Sequence, residues 1–172
     1  MVWVGTSNGL VHLLRAGVWQ DITPVDLPKR SDVRLVEASP FEADAAYVVV
    51  TARRDDHPYL YRTRDAGKTW TKIASGLPDD QAAQALRADP KRKGLLFAGT
   101  QTDAYVSFDD GDHWQSLQLN LPAAPVTDFA IHGDDLMAST YGRGLWIIDD
   151  ISPFRELSAK RDGSLFGKEN DR

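Results

Sequence analysis

Two eight-residue stretches hold the side chains best equipped for chemistry: Thr63-Arg64-Asp65-Ala66-Gly67-Lys68-Thr69-Trp70 and Ser107-Phe108-Asp109-Asp110-Gly111-Asp112-His113-Trp114. Asp109, Asp110 and Asp112 around Gly111 offer the oxygens of a calcium loop, but the spacing of a helix-loop-helix calcium site and its bidentate Glu are missing. A backbone role accounts for each residue type instead. Asp65 and Asp109 are placed to accept hydrogen bonds from turn amides, and Thr63 or Ser107 adds a hydroxyl to the same turn. Gly67 and Gly111 supply positive φ, while Trp70 and Trp114 bury a large apolar surface that pins the hairpin. Thr69 completes the first copy. His113 replaces it in the second, where it reads as a solvated strand residue. No metal and no cofactor are expected.

A more dispersed set consists of Glu37, Arg87, Asp128, Tyr141 and Arg143. Carboxylates, an arginine and a tyrosine are the residue types with which glycosidases work. Their spread along the chain makes them binding candidates drawn from several elements, and a structural salt bridge or a solvated loop explains each equally well. Compact catalytic motifs are missing: the sequence has no Gly-x-Ser-x-Gly elbow, no Walker loop and no His-Glu-x-x-His. With no cysteine among the 172 residues, disulfides, Cys-ligated zinc and thiol nucleophiles are excluded. Twenty basic against twenty-five acidic residues give a net charge of −5 without a basic run, which argues against a nucleic-acid partner. No apolar run is long enough for a membrane span, and Met1 opens directly into a strand-like segment without a signal peptide, as a piece of a longer protein would.

What must position these residues is a repeat. The Asp of the first stretch and that of the second are 44 residues apart, as are the two Trp and the pairs Leu77-Pro78 and Leu121-Pro122. A period in the low forties fits the ~40–45 residues of one four-stranded propeller blade. Leu95-Leu96-Phe97-Ala98-Gly99-Thr100 echoes Val2-Trp3-Val4-Gly5-Thr6, which precedes a degenerate copy ending Gly17-Val18-Trp19. A further unit runs from Asp135-Leu136-Met137-Ala138-Ser139-Thr140 to Gly144-Leu145-Trp146-Ile147-Ile148. Short β-branched and aromatic runs bounded by Pro, Gly and Asp predict strands at 33–38, 46–52, 59–64 and 70–73, then at 84–88, 95–99, 104–108 and 114–117, with a last blade beginning at 126–131. Segment 81–86 could be helical by composition, but the repeat calls for an entering strand there. The fold class is therefore all-β: a partial ring of nearly four blades at about 2–27, 31–78, 82–122 and 125–157, with 158–172 as a flexible tail or linker. Recurrence of Trp3, Trp19, Trp70, Trp114 and Trp146 at repeat positions favours packing over a sugar-stacking platform.

The pattern Ser/Thr-x-Asp-x-Gly-x-Thr-Trp resembles the Asp box of the BNR repeat. Together with Tyr141-Gly142-Arg143-Gly144-Leu145-Trp146 and the segment onward to Leu157, it makes the chain similar over about 2–157 to the end of a propeller in the sortilin (VPS10) N-terminal-like and sialidase-like glycosyl hydrolase superfamily. That family often reads His-Gly-Arg where this chain has Tyr141-Gly142-Arg143, so any role of the family His is missing here. The resemblance implies a binding or scaffold module of a larger secreted or periplasmic protein, presenting loops and a channel to a peptide or glycan. Its rivals are a sialidase-like or xyloglucanase-like glycoside hydrolase with an incomplete site in this chain, and a photosystem-assembly-like propeller. An open arc would pair with missing blades or self-associate.

Overall fold

The computed structural model describes residues 1–117 and 123–159, which leaves Leu121-Pro122 and the tail beyond residue 159 outside the described residues. Its strands fall into four antiparallel sheets. β1 (Val2–Gly5), β2 (Val11–Arg15) and β3 (Val18–Asp21) form the first. β4 (Ser31–Ala38), β5 (Ala46–Ala52), β6 (Asp55–Thr63) and β7 (Thr71–Lys72) form the second. The third holds β8 (Ala83–Ala88), β9 (Leu96–Thr100), β10 (Ala104–Ser107) and β11 (Gln115–Ser116), and the fourth β12 (Val126–His132), β13 (Asp135–Thr140) and β14 (Gly144–Ile148). Strands pair in chain order within each sheet, so every sheet is a simple up-and-down blade, and the whole is a partial β-propeller. Segment 81–86 enters β8 as a strand, as the repeat requires.

Burial explains which strand sequences read as continuous apolar runs. The middle strands β5 and β9 are sandwiched between neighbouring blades, so side chains on both of their faces are covered: Ala46 to Val50 and Leu96 to Thr100 are all buried. One cluster joins the second and third sheets through Val49, Leu60, Ile73, Leu86 and Trp114. A second joins the third and fourth through Phe97, Phe129 and Leu136, and a third joins the first and second through Val11, Leu13, Val48 and Tyr61. Each innermost strand carries a register shift, at Val33/Leu35, Ala83/Ala85 and Val126/Asp128. These bulges increase local twist, which lets successive blades fan around an axis.

Two expectations are corrected. Residues 154–157, counted into the last blade, belong to a helix, α1 (Ser152–Ala159), and the first two residues assigned to the tail are its last. Asp150 Oδ1 accepts from the Ser152 amide at 3.0 Å, and Pro153 sits in the first turn, where its missing N–H costs nothing. Phe154 packs at 6.3 Å between ring centroids from both Phe97 and Phe108 of the third blade. The second correction is Trp19, which is 55% exposed. Trp3, Trp70, Trp114 and Trp146 do pack in blade interfaces.

Candidate functional site at the inner strands

The two Asp-rich hairpins superimpose bond for bond. Asp65 Oδ1 accepts from the Thr69 amide and from the Thr63 hydroxyl, both at 2.9 Å, and Thr63 Oγ1 accepts from the Gly67 amide at 2.9 Å. In the second copy Asp109 Oδ1 accepts from the His113 amide and the Ser107 hydroxyl, and Ser107 Oγ from the Gly111 amide, again at 2.9 Å. Ala66 and Gly67 have φ of 59° and 81°, Asp110 and Gly111 of 64° and 91°, so each turn places two consecutive residues in the left-handed region. Bonds from the Thr69 hydroxyl and amide hold the Asp65 carboxyl down to about 2. His113 is solvated as expected but sits in the turn and not in a strand: its Nδ1 lies 2.8 Å from Asp109 Oδ2, the place Thr69 Oγ1 takes at 2.6 Å from Asp65 Oδ2. It completes the turn network.

Each hairpin also reaches into the preceding blade. Trp70 Nε1 donates to the Ile22 carbonyl and Trp114 Nε1 to the Ile73 carbonyl, both at 2.7 Å. Glycine is required beside these contacts because a Cβ at Gly67 would stand 2.6 Å from Ile22 and one at Gly111 2.6 Å from Ile73. The other acids of the second hairpin are spent on arginines. Asp110 takes Arg64 Nη2 at 2.6 Å, Arg62 Nη1 at 3.3 Å and the Tyr47 hydroxyl, while Asp112 takes Arg62 Nη1 at 3.0 Å. Burial and the Asp110 bond push the Tyr47 phenol well above its ordinary value. Among the described residues no group of three or more His, Cys, Asp or Glu is arranged to hold a metal ion.

Three of the dispersed candidates do meet. Glu37 on β4, Arg87 on β8 and Asp128 on β12 come from the innermost strands of three successive blades. Arg87 Nη1 donates to Glu37 Oε2 at 2.9 Å, Nη2 to Asp128 Oδ1 at 3.1 Å, and Nε to the Phe129 carbonyl at 2.9 Å. Glu37 Oε1 also accepts from the Ala88 amide at 3.2 Å. Burial raises the Glu37 carboxyl above its usual value, against the pull of Arg87 and the Ala88 amide. With Pro40, Pro90, Ala130 and Ile131, these residues line a shallow open concavity on the inner-strand surface. Tyr141 and Arg143 lie elsewhere, in the exposed turn between β13 and β14, where the Tyr141 amide donates to the Pro125 carbonyl and the Arg143 carbonyl accepts from Trp146 Nε1.

Sequence reasoning missed two arginines that matter as much. Arg34 Nε donates to the Gln84 carbonyl at 2.7 Å, a second inner-strand stitch between blades. Arg155 of α1 donates from Nε at 2.9 Å and Nη2 at 2.7 Å to Asp89, whose side chain is wholly buried, and pairs with Asp134 as well. Asp89 also accepts from the Lys91 and Arg92 amides at 2.8 and 2.6 Å. The Asp150-Ile151-Ser152-Pro153 cap is the signal that would have announced α1, and with it a role for Arg155.

These blades are matched by known proteins. The chain is 26% identical over 108 residues to the vacuolar protein sorting/targeting protein 10 of Pyrenophora tritici-repentis, a match covering 59% of this chain and 7% of that protein. In structure it is similar to YCF48 bound to D1 peptide, with a TM-score of 0.62 and 16% identity over 86% of this chain and 46% of that one. It is also similar to the GH74 xyloglucanase of Xanthomonas campestris, with a TM-score of 0.67 and 19% identity over 89% of this chain and 26% of that one. No family model matches the chain. The chain thus spans a small part of the curated relatives it matches, and its fold is a partial β-propeller of the kind sortilin/VPS10 proteins and these solved structures share. Among the described residues no helix is long and apolar enough to cross a membrane.

Proposed function

We propose that this chain is a binding or scaffold module of a larger secreted or periplasmic protein, in which an Asp-box propeller arc at 1–157 offers its inner-strand surface to a peptide. The observation that carries this reading is the Glu37–Arg87–Asp128 triad. It ties three blades together across a shallow concavity and leaves the one arginine there engaged on both sides by acids and a backbone carbonyl. Such an arrangement presents fixed hydrogen-bonding edges without a free nucleophile. A peptide is the ligand that YCF48 holds in its solved structure, and the VPS10 match is to a sorting protein. The Asp-box residues Thr63, Asp65, Gly67, Thr69 and Trp70, with Ser107, Asp109, Gly111 and Trp114, belong to the scaffold. Tyr141 and Arg143 extend the binding surface only if a ligand also reaches the β13–β14 turn.

The second reading is a glycoside hydrolase, favoured by the GH74 likeness and by a largely buried carboxyl, Glu37, which burial raises above its usual value, beside the more exposed Asp128. Arg87 lies between the two acids, occupying the place where a scissile bond would have to sit. Screening the purified chain on an array of twelve-residue peptides and on an aryl-glycoside panel separates the two. Peptide binding that weakens in Glu37→Gln and Arg87→Ala, with no glycoside turnover, is the expected result. Turnover lost in Glu37→Gln or Asp128→Asn would overturn it.

A further inference from the structure

We infer that Arg155 of α1 is a positioning residue for the inner-strand site: through the buried carboxylate of Asp89 it fixes the end of β8 and the loop that walls the concavity, so that α1 docking and ligand binding are coupled. This deepens the peptide-binding reading and rests on it. Asp89 follows directly on Arg87 and Ala88, and Ala88 is the residue whose amide donates to Glu37 Oε1 at 3.2 Å. Pro90, the next residue, lines the concavity. Asp89 therefore stands between the triad and a wall that a ligand would touch.

Asp89 uses its two oxygens separately. Oδ1 accepts from the Lys91 and Arg92 amides at 2.8 and 2.6 Å, which curls the loop after Pro90, and the Asp89 amide closes it by donating to the Leu95 carbonyl at 3.0 Å. Oδ2 takes the guanidinium of Arg155 from Nε and Nη2. The same guanidinium pairs with Asp134, in the turn that ends β12, and the Ile151 amide donates to the Asp134 carbonyl at 2.6 Å. Arg87 on β8 reaches Asp128 on β12, so the two strands bridged by Arg87 on the inner face are bridged by Arg155 at their ends. Phe154, against Phe97 and Phe108, holds the helix in this place.

The second blade shows that the loop does not need this arrangement for its own sake. Ser39 stands where Asp89 stands: it follows the inner strand, precedes Pro40, and donates its amide to the Ala45 carbonyl at 2.9 Å. Its Oγ accepts from the Phe41 and Glu42 amides at 3.2 and 3.3 Å. An uncharged hydroxyl therefore folds the same turn. A wholly buried carboxylate is costly unless it is paired, and what it adds over serine is a second oxygen and a charge, both directed at Arg155. The aspartate makes the third blade's loop depend on α1, whereas the second blade's turn closes on itself.

The test is a double-mutant cycle of Arg155→Met and Asp89→Ser in the whole chain, read by amide hydrogen exchange at Ala88 relative to Val49 of β5, which reports any general loosening. In the otherwise wild-type chain Arg155→Met should speed Ala88 exchange by about tenfold or more against that reference, and Arg155→Lys should recover part of the loss. In the Asp89→Ser background, which keeps the turn and leaves no buried charge, Arg155→Met should change Ala88 by less than about twofold, because the link is already cut. The tightest-binding peptide of the twelve-residue array should weaken by about fivefold or more in Arg155→Met, and its binding should in turn slow exchange of the Arg155 amide, since coupling is reciprocal. No change at Ala88 in Arg155→Met, or an equal change in both backgrounds, overturns the inference. Unchanged peptide affinity in Arg155→Met also overturns it, even with a change at Ala88. An array without a binder fails the peptide reading itself, and the Ala88 cycle then decides the positioning of the triad alone.

Discussion

The third blade and the first are built on the same repeat, and among the described residues only the third has a blade before it to lock to. Trp114 buries its indole and donates to the Ile73 carbonyl, and Gly111 lies flat against Ile73. In the first blade the β2–β3 turn also uses two left-handed residues, Ala16 and Gly17 with φ of 51° and 80°, but nothing lies within 4 Å of a Cβ built at Gly17, and Trp19 is exposed. The turn geometry is shared and the joint is not. Both joints among the described residues are made by Asp-centred loops, which set Trp70 against the first blade and Trp114 against the second. Trp19 follows a two-residue turn, and no blade among the described residues precedes its own. The fourth blade solves the same problem differently: Trp146 bonds back to its own turn, and α1 covers the third blade with Phe154 and Arg155.

Ways to break this contrast differ in size. Asp89→Ala removes the buried partner of Arg155 and of two loop amides, and urea denaturation should show a loss of about 3–5 kcal/mol, since one half of a buried ion pair is left uncompensated. A change below 1 kcal/mol would mean that α1 is not held by this pair. Next come Gly111→Ala and Gly17→Ala. Both pay about 1–2 kcal/mol for an alanine in the left-handed region, but only Gly111→Ala also pushes Ile73, so it should be the more destabilising of the two. Equal losses would remove the joint from the account. The smallest effect is a pH dependence. Because Asp65 is held to about 2 in the folded chain, its stabilisation is present above the unfolded carboxylate value near 3.9 and fades as pH falls from about 4 to about 2. Asp65→Asn should flatten stability over that window while wild type loses it, and parallel curves for the two would contradict the assignment.

Much of this was legible in the sequence because the repeat is carried by residues with backbone reasons to recur. Asp65, Gly67 and Trp70 fix the hairpin, and their 44-residue copy fixes the period, so the four sheets follow. Glu37, Arg87 and Asp128 were legible as inner-strand residues, but their meeting depends on how neighbouring blades are offset, which no single strand encodes. His113 looked like a departure from the motif, yet a ring nitrogen reaches the same carboxylate oxygen as a threonine hydroxyl. Trp19 misled because its residue type recurs at the repeat position, while among the described residues no blade precedes the first to cover it. The helix α1 escaped because 154–157 were counted into the last blade by the repeat, and eight residues are too few to outweigh it without the Asp150 cap.

The central claim is that the Asp-centred hairpins are joints between blades, and the tryptophans test it most directly. Chemical denaturation of Trp114→Phe and Trp19→Phe, each against wild type, compares a joint with its degenerate copy. The account predicts a loss of about 1–3 kcal/mol for Trp114→Phe, which leaves the buried Ile73 carbonyl unpaired, and a change within about 0.5 kcal/mol for the exposed Trp19→Phe. Equal stability of the two variants would contradict it.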